Sequence, residues 1–135
     1  MQPPNPRYPR AMPPLLLAMV GGAVGSGARF LFGKWALAAL GPNYPWGTLG
    51  VNLIGGFLMG VLVGMLARSG GSEQARVLLG VGVLGGFTTF SAFSLDAMNM
   101  IERGGWAMAV GYALVSVIGA ISALAVGLAI VRAVA

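Results

Sequence analysis

The chain has 135 residues, of which 57% are hydrophobic and only 8% are charged. A soluble domain usually carries about a quarter charged residues, so this composition predicts one compact integral membrane protein and argues against a soluble one. The net charge of +5 is spread over scattered basic residues without the dense stripe that nucleic-acid binding needs, and the absence of Cys and His excludes disulfides, thiol catalysis and the usual soft-metal sites.

The first segment of the chain, residues 1–13, is rich in proline and predicts a flexible N-terminal tail. Residues 14–132 are predicted to form a single four-helix transmembrane domain. The first span covers about residues 14–34, since about 20 apolar residues cross a hydrocarbon layer of roughly 30 Å. A secretory signal is also apolar, but three similar runs follow and no cleavage site stands out, so we interpret this run as a retained helix.

Three further apolar runs complete the predicted domain, and they cover residues 48–67, 77–101 and 106–131. The loop at residues 41–47 contains two prolines beside Tyr44 and Trp46, and turns rich in glycine and charge separate the later spans. Within the third span, the string GGFTTFS at residues 85–91 joins helix-weakening glycines to hydroxyl side chains. We therefore predict a four-helix, all-α protein whose third helix is broken.

Glycines recur at spacings of four or eight, which predicts close packing between helices in lipid. They are Gly21, Gly25 and Gly33 in the first span, Gly56, Gly60 and Gly64 in the second, and Gly111, Gly119 and Gly127 in the fourth. Four tightly packed helices leave little room for a hydrated pathway, so a transport function predicts a homodimer.

The orientation of the chain is only weakly specified by its charges. An even number of spans puts both termini on one side, together with Arg7, Arg10, Arg68, Arg76 and Arg132, while Lys34 and Arg103 lie opposite. The positive-inside rule favours cytoplasmic termini, yet so small an excess allows both orientations, as in an antiparallel dual-topology pair.

Two polar residues inside the spans are candidates for function. Asn52 lies one turn before Gly56 and is expected to point toward another helix, where it either joins helices by hydrogen bonding or lines a pathway. Arg29 either reaches the nearer interface by snorkelling or raises the local anion concentration at a pore mouth.

The break in the third span gathers a second group of candidates. Thr88, Thr89, Ser91 and Ser94 surround it, and its freed carbonyls need partners, which hydroxyl groups or a small hard cation can supply. Phe90 and Phe93 share one helix face and either contact lipid or present positive ring edges to an anion. On the fourth span, Tyr112 and Ser116 form a polar line.

The three carboxylates constrain the function. Glu73 and Glu102 lie in turns and Asp96 near a helix end, so no buried acid is available to relay protons, and no nucleophile and base form an enzyme site. The alternative of a small four-helix proton-coupled exporter of cationic compounds therefore lacks its carboxylate. A nonconducting assembly subunit would leave the GGFTTFS break unexplained.

Three strings, GGAVGSGARF, GTLGVNLIGGFLMG and GGFTTFSAFS, closely resemble the CrcB/Fluc family of small fluoride channels, in the family's order and across all four spans. This resemblance implies an antiparallel dual-topology homodimer that exports fluoride passively across the inner or plasma membrane. It also implies a structural sodium ion held by the carbonyls of Gly85 and Thr88. The implied fluoride pathway comprises Arg29, Asn52, Thr89, Phe90, Ser91, Phe93, Tyr112 and Ser116.

Two positions depart from the family pattern, because Ala92 and Ala120 stand where the family commonly has a hydroxyl residue. They leave the donor set of the pore open, but not the class of ion. Fluoride holds its water tightly, so a pore must replace that water with several modest donors that bind weakly enough to release it.

Overall fold

The structure is a computed structural model that describes residues 12–134. The regular structure of these residues is entirely helical. In chain order it comprises α1 (Pro14–Leu40), α2 (Trp46–Ser69), α3 (Glu73–Ala75), a π-helical segment (Arg76–Leu84), α4 (Gly85–Phe87), α5 (Phe90–Glu102) and α6 (Trp106–Ala133). The predicted tail at residues 1–13 lies almost entirely outside the described residues.

Four helical stretches are long and apolar enough to cross a membrane, namely Pro14–Leu40, Trp46–Ser69, Glu73–Glu102 and Trp106–Ala133. They confirm the four predicted spans. Their large apolar side chains mostly face outward, for example Leu15 at 70% and Ile121 at 66% exposure, as expected of helices whose solvent is lipid.

The first span is longer than predicted. It continues past Lys34 to Leu40, because lysine and the Ala and Leu residues that follow it are good helix formers. The Lys34 ammonium lies 5.8 Å from the centre of the Phe30 ring. The helix ends where Gly41 adopts a φ of 82°, a backbone conformation that glycine reaches without steric cost, and Pro42 follows.

The third span is broken, in agreement with the sequence, but the break is shorter than the predicted residues 85–91. Helix α4 continues to Phe87, and only Thr88 (ψ 158°) and Thr89 (φ −152°) are extended before α5 begins at Phe90. The glycines at 85 and 86 remain helical. The side chain of Thr89 caps α5 by accepting from the Ala92 N–H, which sets the start of that helix.

Glycines allow two pairs of helices to approach closely. On α1, Gly21 and Gly25 face backbone carbonyls of the π-helical segment, so a methyl group at either position would clash. On α2, Gly56 and Gly60 face carbonyls of α6 in the same way. These contacts confirm close glycine packing, but Gly33 and Gly111 are exceptions, because a side chain at either position would meet nothing within 4 Å.

Candidate functional site

The side chain of Asn52 closes the helix break from α2. Its Nδ2 donates to the carbonyl of Thr89 at 3.0 Å, and its Oδ1 accepts from the Thr89 N–H at 2.8 Å. Both backbone groups of an extended residue are thereby paired where lipid offers no partner. Asn52 thus points toward the third span, as its position before Gly56 predicts, and one Nδ2 hydrogen remains available for a further acceptor.

The same contacts leave two carbonyls of the break without their usual donors. In a continuous helix the carbonyl of Gly85 would accept from the Thr89 N–H, and that of Thr88 from the Ala92 N–H. Here the Thr89 N–H binds Asn52, and the Ala92 N–H binds Thr89 Oγ1 at 3.2 Å. The carbonyls of Gly85 and Thr88 are therefore free of the donors that a continuous helix would supply.

The hydroxyl groups around the break mostly bind nearby backbone. Thr88 Oγ1 donates to the carbonyl of Leu84 at 3.0 Å, and Ser94 Oγ donates to that of Phe90 at 2.9 Å. Ser91 Oγ lies 3.3 Å from Thr89 Oγ1, so these two hydroxyl groups can share a hydrogen bond. Because α5 begins at Phe90, its first N–H groups and the positive end of its dipole are directed toward the break.

An open groove of about 350 Å³ lies between α2, the break, α5 and α6. Its polar or aromatic lining consists of Asn52, Thr88, Thr89, Phe90, Phe93 and Ser116. The hydroxyl of Ser116 is the one buried side-chain polar atom among residues 12–134 that has no hydrogen-bond partner. Since an unpaired buried hydroxyl is unfavourable, a water molecule or an ion in the groove would be a favourable partner for this atom.

A continuous row of aromatic rings leads from the groove to the loop between α1 and α2. The rings of Phe90 and Phe93 are 5.3 Å apart, Phe93 is 5.3 Å from Tyr112, and Tyr112 meets Tyr44 edge-on at 5.6 Å. Phe90 at the start of the row is 76% exposed, whereas Tyr112 is buried. The structure therefore brings Phe90, Phe93 and Tyr112 together, although they come from two different helices.

Two partners of Tyr112 were not predicted from the sequence. Its hydroxyl donates to Asp96 Oδ2 at 3.3 Å, and its ring packs on Tyr44, whose pKa is raised by burial. A sequence signal for the first contact exists, since Asp96 lies six residues before the end of α5 and Tyr112 six residues after the start of α6. Residues equally distant from a tight turn meet across a helical hairpin.

Arg29 lies apart from the groove. It is half-buried and lines a separate cavity of about 400 Å³, whose lining also includes Ser26, Thr48 and Thr89. Within residues 12–134 its guanidinium forms no ion pair. Thr89 lines both cavities, so the structure places the positive charge close to the groove but not in its lining.

The sequence as a whole shows what kind of protein this is. Residues 16–128 match the family described as CrcB-like protein, Camphor Resistance (CrcB). The chain belongs to the CrcB family. Together with its four spans, membership makes it a multi-pass membrane protein.

Curated CrcB relatives cover nearly the whole chain and carry the name fluoride-specific ion channel FluC. One from Mesorhizobium japonicum is 54% identical over 87% of this chain and 95% of its own length. Another, from Novosphingobium aromaticivorans, is 52% identical over 86% of this chain and 94% of its own length. One from Phenylobacterium zucineum is 54% identical over 91% of this chain and 98% of its own length. The family resemblance seen in the three sequence strings is thus confirmed.

The groove of this CrcB protein offers neutral groups only. Its lining combines an amide, hydroxyls, aromatic rings and apolar side chains, while the carboxylate of Asp96 and the guanidinium of Arg29 lie outside it. Such a surface can replace the water of a small anion by several weak donors without trapping the ion at a fixed charge.

Proposed function

We propose that this protein is a fluoride-specific channel that lets fluoride leave the cytoplasm passively and so reduces its toxicity. The name shared by its curated relatives supports the ion, and the relatives are channels, not enzymes. The observation that carries the proposal within the structure is the unpaired, buried hydroxyl of Ser116 in a groove that also presents Asn52 and two phenyl rings.

In the proposed pathway, fluoride is passed between neutral donors. The free Nδ2 hydrogen of Asn52, the hydroxyls of Thr89 and Ser91, and the hydroxyl of Ser116 offer hydrogen bonds, while Phe90 and Phe93 offer ring edges. The hydroxyl of Tyr112 extends this line toward the loop end. Arg29 acts from its separate cavity, where its charge raises the anion concentration without binding the ion directly.

A second copy of the chain is part of the proposal. The groove is open along one side, and Phe90, which lies on its lining, is 76% exposed. A partner lying across this side would enclose the groove and cover the ring. The excess of basic residues at the end that holds both termini is small enough to allow both orientations, which is compatible with an antiparallel, dual-topology homodimer whose two ends present the same groups.

We further propose that a structural sodium ion lies between the breaks of the two copies. The carbonyls of Gly85 and Thr88 suit it, because their helical donors are engaged elsewhere and oxygen atoms are the ligands that hard cations prefer. Two copies together would offer four such carbonyls, and the bound cation would neutralise the partial negative charge of two helix breaks. Its contribution is structural.

Passive conduction is sufficient for export. An inside-negative potential favours the exit of an anion by about 2.3 kcal/mol per 100 mV, so a channel in the plasma or inner membrane needs no coupled proton. The rival exporter of cationic compounds requires a carboxylate within the bundle, and the first span, Pro14–Leu40, contains none.

Reconstitution tests the proposal. Purified protein in liposomes loaded with potassium fluoride should release fluoride rapidly once valinomycin permits potassium to leave, while liposomes loaded with potassium chloride retain their anion. Fluoride release no faster than from protein-free liposomes would refute the function. Proton-dependent uptake of a lipophilic cation would instead support the rival exporter.

A further inference from the structure

A second open groove lies at the opposite end of the bundle from the loop that joins α1 to α2. It lies between the last turns of α2 and α6, encloses about 380 Å³, and is lined by Met65, Arg68, Ser69 and Val131. Arg68 bridges the two helices, since its Nη1 donates to the carbonyl of Val131 at 3.0 Å. The groove therefore has an apolar floor with a guanidinium at its rim.

The charge of Arg68 is not compensated within residues 12–134. The one ion pair there joins Arg76 to Glu73, and the remaining carboxylates, Asp96 and Glu102, belong to α5. The bond to Val131 uses one of the five N–H donors of the guanidinium. The other donors remain free to bind an anion, in a fork geometry that suits phosphate.

The groove lies at the depth of the lipid headgroups. Helix α2 has 24 residues and is about 36 Å long, which exceeds a hydrocarbon layer of roughly 30 Å, so its last turn extends beyond that layer. Trp46 and Trp106 begin their helices at the other end of the bundle and mark the opposite interface. Arg68, one residue before the end of α2, is thus near the interface, where its long side chain can reach lipid phosphates.

We propose that this groove binds the headgroup phosphate of an anionic phospholipid, with one acyl chain lying against Met65 and Val131. Arg68 is the main donor, because the hydroxyl of Ser69 already donates to the carbonyl of Met65 at 2.9 Å. An anionic lipid is favoured over a zwitterionic one, whose own ammonium group would be repelled by the uncompensated arginine. A bound lipid would join the ends of α2 and α6, independently of any ion conduction.

Native mass spectrometry of the full-length protein in detergent tests this site, with phosphatidylglycerol and phosphatidylcholine as probes. Wild-type protein should retain phosphatidylglycerol in preference, and Arg68→Gln should weaken its binding about tenfold, since a charged hydrogen-bonding group is lost. Arg132→Gln is the matched control, because it removes the same charge at the same end without altering the groove lining. Arg68→Lys keeps the charge but loses the forked donor geometry, so its affinity for phosphatidylglycerol should lie between those of wild type and Arg68→Gln.

Four results would overturn the proposal. Equal loss in Arg68→Gln and Arg132→Gln would indicate a diffuse surface charge, and undiminished binding in Arg68→Gln would exclude the groove. If inorganic phosphate raised the thermal midpoint as much as phosphatidylglycerol does, the groove would be an ion site and not a lipid site. If R68E weakened the dimer and adding E102R restored it, the groove would be occupied by a second copy of the chain and not by a lipid. Helix content by circular dichroism confirms folding, and no readout depends on fluoride flux.

Discussion

Replacing Asn52 by Leu tests how the helix break is held. The substitution keeps a similar volume but removes both hydrogen bonds to Thr89, at 3.0 and 2.8 Å, and leaves the Thr89 N–H and carbonyl unpaired in a water-poor site. Each unpaired group costs about 1–3 kcal/mol, so the native break is disfavoured by about 2–6 kcal/mol. At about 1.4 kcal/mol per factor of ten, the ratio of the native break to alternative backbone conformations should fall roughly thirty-fold to twenty-thousand-fold.

The assay is fluoride efflux from liposomes that contain known amounts of protein. Asn99→Leu is the matched control, since Asn99 lies on the third span beyond the break and its side chain forms no hydrogen bond within the described residues. We expect efflux through Asn52→Leu to fall at least thirty-fold, while the control stays within twofold of wild type and both variants remain dimeric by cross-linking. Efflux through Asn52→Leu within twofold of wild type would show that the break does not depend on this amide.

Four further predictions concern the groove, the packing and the charge. Phe90→Ala should abolish fluoride efflux while cross-linking still detects the dimer, and unchanged efflux would remove this ring from the pathway. Ser116→Ala should leave the thermal midpoint unchanged or slightly raised, because it deletes an unpaired buried hydroxyl, yet lower efflux about tenfold; undiminished efflux would contradict its role. Gly60→Val should unfold the protein several degrees earlier because a side chain there meets a carbonyl of α6, whereas Gly111→Val should not, and equal midpoints would argue against the packing. Arg29→Gln should lower efflux several-fold at low ionic strength and much less at high ionic strength, and a loss independent of salt would instead indicate direct contact.

The spans and the break follow from the sequence because they depend on local properties. Hydropathy reports which residues prefer lipid, and the string at residues 85–91 combines weak helix formers with side chains that can satisfy freed backbone groups. The end of α1 was predicted too early, because the prediction took the length that crosses the hydrocarbon layer as the length of the helix. The helix itself continues until Gly41 ends it.

The contacts of the site depend on the register between helices, which a single sequence does not specify. The position of Asn52 before Gly56 indicates a helix-facing amide, but not that it binds both backbone groups of Thr89. The pairing of Tyr112 with Asp96 was missed, since Asp96 was judged only by its distance from the helix end. The glycine pattern predicted the packing of Gly60 correctly but failed at Gly33 and Gly111, since spacing alone does not show which face a neighbour covers.

The most direct test of the central claim is the reversal potential of the purified protein in a planar bilayer that has fluoride at different concentrations on its two sides, with chloride making up the difference in anion concentration. A pathway of neutral donors sized for the smallest halide predicts a current that reverses close to the fluoride equilibrium potential, with no measurable contribution from chloride. A reversal potential midway between the fluoride and chloride equilibrium potentials, or a current carried by protons or cations, would contradict it.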